Sequence, residues 1–168
     1  MSGTAESGRM EYLIHLVVPK AGRLTPAMLE WAFAHSGDPT QPETFHPFRR
    51  LKPRSLALLL LKLDRTLIAE PGEGGDVILH YPIRDLGIRL YLHDRGVVLT
   101  FPLMNSLLAR IVLGICYVYI RYLYDQAGFW SYDPQLNVIS YADDYQSIDE
   151  TAALLDALLP RMLNAPGG

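Results

Sequence analysis

Tyr141-Ala142-Asp143-Asp144 forms a Y-x-D-D pattern, the arrangement in which adjacent carboxylates hold catalytic divalent cations. Phosphoryl transfer on that plan also needs a further carboxylate strand and basic surfaces for primer and template. With 168 residues, 15 Lys+Arg against 18 Asp+Glu and a net charge of -3, the chain supplies neither the length nor the positive charge. Asp143, Asp144 and Asp149 are therefore read as a solvated loop and as negative charge at the start of the last helix. His80 and His93 fall on neighbouring strands with Asp85 and Asp94 close in sequence, but two histidines without ligand spacing point to polar strand positions before a metal site. Pro71-Gly72-Glu73-Gly74-Gly75-Asp76 lacks the Lys-Ser/Thr of a phosphate loop and leads into a strand, so it is read as a plain flexible loop. No G-x-S-x-G elbow is present, and the one cysteine, Cys116, lies in an apolar segment where a thiol is inert. These readings give no cofactor, no metal and no catalytic residue.

Charge distribution says more than charge total. From Asp125 onward there are seven acids (Asp125, Asp133, Asp143, Asp144, Asp149, Glu150 and Asp156) and one base, Arg161, while the first 124 residues carry a basic excess. An acidic end steers and holds basic partners. Aromatic side chains set among such charge make binding anchors, which singles out Trp130, Tyr132, Tyr141 and Tyr145 beside Asp133, Asp143, Asp144 and Asp149 as a partner-binding surface. A basic cluster, Arg49, Arg50, Lys52 and Arg54, lies upstream. Tyr117, Tyr122 and Arg121, with His80 or His93, would instead line a pocket between the long helix and the sheet if the chain is an enzyme, or a binder of a small molecule or a metal. A structural subunit of a larger assembly, meeting its neighbours through Leu56 to Leu61, is the third possibility.

The elements that must position these groups follow from periodicity and punctuation. Glu11 to Pro19 alternates as an opening strand, and Thr25-Pro26 caps a helix from Pro26 to Ala34. Pro39, Pro42, Pro47 and Pro53 make His35 to Pro53 a long surface loop. Ser55 to Glu70 is leucine-rich and read as a helix, although Leu56 to Leu61 would also suit a buried strand. Val77 to Pro82, Gly87 to His93 and Val97 to Pro102 form an antiparallel meander, with Asp94-Arg95-Gly96 as a tight turn. Asn105 or Ser106 then opens a long helix to about Gln126, closed at Gly128. Its polar stripe is only Arg110, Gly114, Arg121 and Asp125, so packing on several sides is expected. Phe129 to Tyr132 and Val138 to Tyr141 flank a turn, and Ile148 to Met162 is helical with Pro160 kinking or ending it.

The implied fold is α+β, one domain over 11–163, with a mainly antiparallel sheet and helices packed on one face. Met1 to Met10, without the apolar core of a secretory signal, form a flexible tail, as do residues 164–168. Ile111 to Ile120 spans ten apolar residues where about 20 cross a bilayer, so no membrane partner is expected. Acidic balance excludes nucleic acid as the primary ligand, and the lone cysteine suits the reducing cytoplasm.

Gly128-Phe129-Trp130-Ser131-Tyr132-Asp133-Pro134-Gln135, placed between a long helix and another short strand, resembles a group of small bacterial proteins that includes immunity and accessory proteins of polymorphic toxin systems. The resemblance implies a non-catalytic cytoplasmic protein that blocks a basic protein partner, a toxin, by occlusion. In physical terms Asp133-Pro134-Gln135 is suited to a structural turn, with Asp133 accepting backbone hydrogen bonds and Pro134 fixing φ.

Overall fold

Strict alternation along Tyr12, Ile14 and Leu16 buries one side of the first strand completely and leaves Leu13 and His15 on the other side. That alternation sets the register of the whole sheet. The computed structural model describes residues 10–140 and 148–163. It shows an α+β fold in which seven strands, β1 (Glu11–Val17), β2 (Ile68–Pro71), β3 (Val77–His80), β4 (Arg89–His93), β5 (Gly96–Pro102), β6 (Trp130–Asp133) and β7 (Val138–Ser140), form one antiparallel sheet. Their order is β2-β3-β4-β5-β1-β6-β7. The expected meander is present, and the opening strand lies inside the sheet between β5 and β6.

The main core lies between one face of this sheet and the helices α2 (Pro53–Leu63), α3 (Ser106–Ala127) and α4 (Ile148–Leu163). Leu60, Leu79, Leu90, Leu92, Leu99, Phe101 and Leu113 are fully buried there. Each such side chain contributes roughly 1.5–3 kcal/mol through apolar area removed from water. α1 (Pro26–Ala34) is different: its Leu29 packs with Val17, Leu24 and Phe48 in a second, smaller cluster on the opposite face, beside Trp130 and Tyr132. Three helices thus share the core face, and one short helix lies across the other.

Four expectations need correction. The helix expected over Ser55 to Glu70 is α2, which stops at Leu63, because Asp64 turns the chain by accepting from the Thr66 backbone N–H (3.0 Å) and hydroxyl (2.5 Å). The residues after it form β2, an edge strand that tolerates Pro71 because an outward position needs no N–H. α3 is capped by the Asn105 side chain on the Leu108 N–H (3.0 Å) and ended by Gly128 at φ +73°, both as expected. It is packed on one face only: Ala109, Val112, Leu113, Cys116, Tyr119, Ile120 and Leu123 are buried, while Leu107, Ile111 and Val118 are 73%, 55% and 51% exposed beside Arg110, Gly114 and Arg121. By length and composition α3 is apolar enough to cross a membrane, beyond the ten residues counted from sequence. α4 continues through Pro160 to Leu163 without ending there.

Candidate functional site

On the sheet face carrying α1, the strands leave an open floor that the segment between α1 and α2 walls in. His15 on β1 stands opposite Val98 on β5, and His93 ends β4 at the turn into β5, which places His15, Val98 and His93 on one surface. The proline-rich segment 35–52, expected as a surface loop, is folded back against this surface. Its backbone is zipped to the exit of β1 by Lys20 N–H to the Pro47 carbonyl and Arg49 N–H to the Val18 carbonyl, each 2.8 Å, and to the hairpin by Leu51 N–H to the Asp94 carbonyl (2.7 Å). Arg95 latches it further, donating to both carboxylate oxygens of Glu43 and to the Phe48 carbonyl (3.2 Å). Between floor, helix and loop lies a cavity of about 610 Å³.

Four of the five histidines in the chain line it: His15, His35, His46 and His93. Aromatic rings surround them. Trp31 stacks on His35 at 4.4 Å between centroids and meets His46 edge-on at 5.2 Å, and His46 meets Phe48 at 5.6 Å. His15 meets Phe33 at 5.7 Å and Tyr132 at 6.4 Å. Phe33 stays 54% exposed, an apolar ring at the edge of the site. Backbone contacts fix three tautomers. His35 Nδ1 donates to the Trp31 carbonyl (2.8 Å), so when neutral it carries its proton on Nδ1. His46 Nδ1 accepts from the Phe48 N–H (3.1 Å) and His93 Nδ1 from the Arg95 N–H (3.2 Å), so when neutral each carries its proton on Nε2.

Charge follows from this packing. Burial holds the pKa of His15 below its ordinary 6.5, reinforced by His93. Burial also lowers His46, helped by Arg95, and it lowers His93 against the opposing pull of Asp76 and Asp94. These three imidazoles are neutral at pH 7. The carboxylates are the reverse: the Thr40 hydroxyl, the Thr40 N–H and the Gln41 amide hold Asp38 below the usual carboxylate range, and hydrogen bonds from Arg95 do the same for Glu43. The lining therefore presents three carboxylates, Asp38, Glu43 and Asp94, against one guanidinium, Arg95.

Comparison of the chain with protein-family models, with curated proteins and with solved structures finds no match.

Of the residues singled out from sequence, the structure describes some in full. Trp130 and Tyr132 are half-buried against the α1 cluster. Asp133 is occupied by the turn: its Oδ1 accepts from the Gln135 N–H (2.9 Å), the Leu136 N–H (3.1 Å) and the Gln135 amide (2.7 Å), and its Oδ2 accepts from the Tyr12 hydroxyl. Gln135 in turn accepts from the Leu13 N–H (3.0 Å) and donates to the Leu13 carbonyl (2.7 Å), so its side-chain amide pairs with β1 as a strand residue would. Tyr141, Asp143, Asp144 and Tyr145 lie outside the described residues, and Asp149 belongs to α4. Asp156 accepts from the Ser106 N–H (2.9 Å) and Asp125 from Arg121 (3.3 Å), so both are tied to α3.

The cavity lies on the sheet face opposite the long helix, and none of Tyr117, Arg121 or Tyr122 is in its lining. His93 belongs to it. His80 is instead paired with Glu70 (2.6 Å), and the strand register sets it about 13 Å from His93 along the sheet. Among the described residues no three metal-ligating groups converge. Sequence reading missed His15, Trp31, His35 and His46. The available signal was the density of Trp31, Phe33, His35, Phe45, His46 and Phe48 around the prolines, too aromatic for a loop made only to be solvated.

Proposed function

We propose that this chain is a non-catalytic binding protein of the immunity type, acting in the cytoplasm, which docks a basic protein partner such as a toxin over the histidine-lined cavity and occludes that partner's site. One observation carries the reading: an aromatic cavity whose lining has three carboxylates to one guanidinium, with neutral imidazoles between them. Glu43 is matched by Arg95 and Lys20 and Asp94 by Arg50, so the rings offer the apolar contact area of a binding anchor and Asp38 a local negative charge beside it. On this reading the dock lies on the α1 side of the sheet, where the cavity opens, and not on the acidic end, whose Asp125, Asp133 and Asp156 already have intramolecular partners.

Affinity capture from native lysate at low and moderate salt tests this, with wild type compared against Trp31→Ala and Asp38→Lys. A stoichiometric basic protein held by the wild type, released by salt and lost from both variants is the expected result. Retention by both variants would move the dock elsewhere, and recovery of the chain alone would remove the reading. A second reading, a small-molecule site, is favoured by the cavity volume of about 610 Å³, within the range of pockets that enclose a metabolite. Thermal stabilisation by neutral metabolites in the absence of any protein would select it.

A further inference from the structure

The outward side of α3 carries a repeat that packing within the described residues does not use. Leu107, Ile111, Gly114, Val118, Arg121 and Asp125 follow one another at intervals of four, three, four, three and four residues, the alternation of a heptad seam. Leu107, Ile111 and Val118 are exposed apolar side chains, and Arg121 and Asp125 stand half-exposed beyond them. Ala109, Cys116 and Leu123, on the opposite side of the same helix, are fully buried, so the seam points straight away from the sheet. It runs for about 27 Å along the helix axis.

Three features of the seam select its own copy, running antiparallel, as the helix that completes it. The first is steric. About a two-fold axis level with Cys116, Gly114 faces Val118 of the second copy, and the same layer recurs on the other side of the axis. A Cβ on Gly114 would meet nothing within 4 Å in its own chain, so the space it leaves is open to the facing valine. The second is the next layer, where Ile111 faces Arg121 of the second copy, whose alkyl stem covers it while the guanidinium stays in water. The third is charge. Helical side chains lean toward the N-terminus of their helix, so in this register Arg110 and the second copy's Asp125 lean toward each other across an axial offset of about 4.5 Å. A parallel pair would set Arg110, Arg121 and Asp125 each against itself. Sliding the antiparallel pair by one heptad would bring the two Arg110 side chains within about 7.5 Å along the axis.

We infer that the outer ridge of α3 is a self-association surface, on which a second copy of this chain docks antiparallel through Leu107, Ile111, Gly114, Val118 and Arg121. Both copies cover the same patch, so the assembly closes at two. The ridge and α1 lie on opposite sides of the sheet, and the dimer leaves the cavity of each copy uncovered. The inference is independent of the binding reading above.

Sedimentation equilibrium of the full chain between about 1 µM and 1 mM tests it. The mass should rise from 18.9 kDa toward twice that value, and Val118→Glu, which alters an exposed side chain, should hold it at 18.9 kDa with an unchanged circular dichroism spectrum. Register is read by mild oxidation of variants with one added cysteine, since the native Cys116 is buried. Ile111→Cys mixed with Arg121→Cys should cross-link, and neither should cross-link alone. Cross-linking of Ile111→Cys to itself overturns the antiparallel arrangement, and association that persists in Val118→Glu overturns the ridge as the interface. A wild type that stays at 18.9 kDa up to about 1 mM overturns the inference altogether. If that monomer also sediments with phosphatidylglycerol vesicles and Val118→Glu does not, the ridge is a lipid-facing surface instead.

Discussion

At Asp133 and Gln135, two side chains substitute for backbone. The carboxylate closes the turn between β6 and β7 and receives the Tyr12 hydroxyl from the neighbouring strand, while the Gln135 amide pairs with both backbone groups of Leu13. Asp133→Ala should lose about 2–3 kcal/mol in urea unfolding, because several donors lose a charged acceptor at once, and Gln135→Ala about 1 kcal/mol. Parental stability in Asp133→Ala would show that the turn holds without its carboxylate. The histidines make a second prediction. His15, His46 and His93 have folded-state pKa values below the ordinary 6.5, so between those values and 6.5 the unfolded chain binds more protons than the folded one. Their contribution to stability is intact above about pH 7 and is lost as pH falls through 6.5 and then through each depressed value. Urea midpoints measured from pH 8 to about pH 5 should decline, and His46→Gln should flatten the decline. The lowered carboxylates, Asp38 and Glu43, titrate at lower pH and do not contribute in this window.

Two glycines show how differently one residue type serves two elements. A Cβ at Gly96 would lie 2.4 Å from the Leu16 carbonyl oxygen and 3.2 Å from Val17, inside the β5–β1 seam. Gly114, midway along α3, would place a Cβ in open space. Gly96→Ala should therefore cost about 2–3 kcal/mol by prising β5 from β1, whereas Gly114→Ala should add about 0.5–1 kcal/mol through helix propensity. Thermal unfolding of the pair tests both, and a Gly96→Ala protein with unchanged melting would mean that the seam can yield. Elements with local punctuation were the legible ones. Thr25-Pro26, Asn105 and Gly128 mark helix ends through bonds made within a few residues, and the hairpin at Asp94-Arg95-Gly96 is equally local. β2 was hidden because Leu67 and Ile68 continue a leucine-rich run, and the turn that separates them depends on a single Asp64 carboxylate. The exposed ridge of α3 was misread because Leu107, Ile111 and Val118 have the composition of a core face. The cavity was the least legible feature. It exists because the loop after α1 is held by backbone bonds to the exit of β1 and to the hairpin and by Arg95, fifty-two residues from its partner Glu43, and no local pattern announces those contacts.

At the scale of the whole molecule, the strand order carries a consequence for how the chain acquires its shape. β2, β3, β4 and β5 are sequential neighbours, joined by short connections, and their pairing is local. β1 pairs Glu11 with Pro102 and His15 with Tyr132, so the first strand to be made meets its partners only after most of the chain exists. Loop closure over such separations is slow relative to hairpin formation. Until β1 arrives, the inner edge of β5 carries unpaired N–H and C=O groups, a template for the wrong strand of another chain. Refolding kinetics should divide accordingly: Leu90→Ala within the meander should slow folding, and Ile14→Val in β1 should mainly speed unfolding. Equal effects on the folding rate would place β1 in the nucleus instead. On a ribosome, the segment that completes the sheet is the one that waits longest.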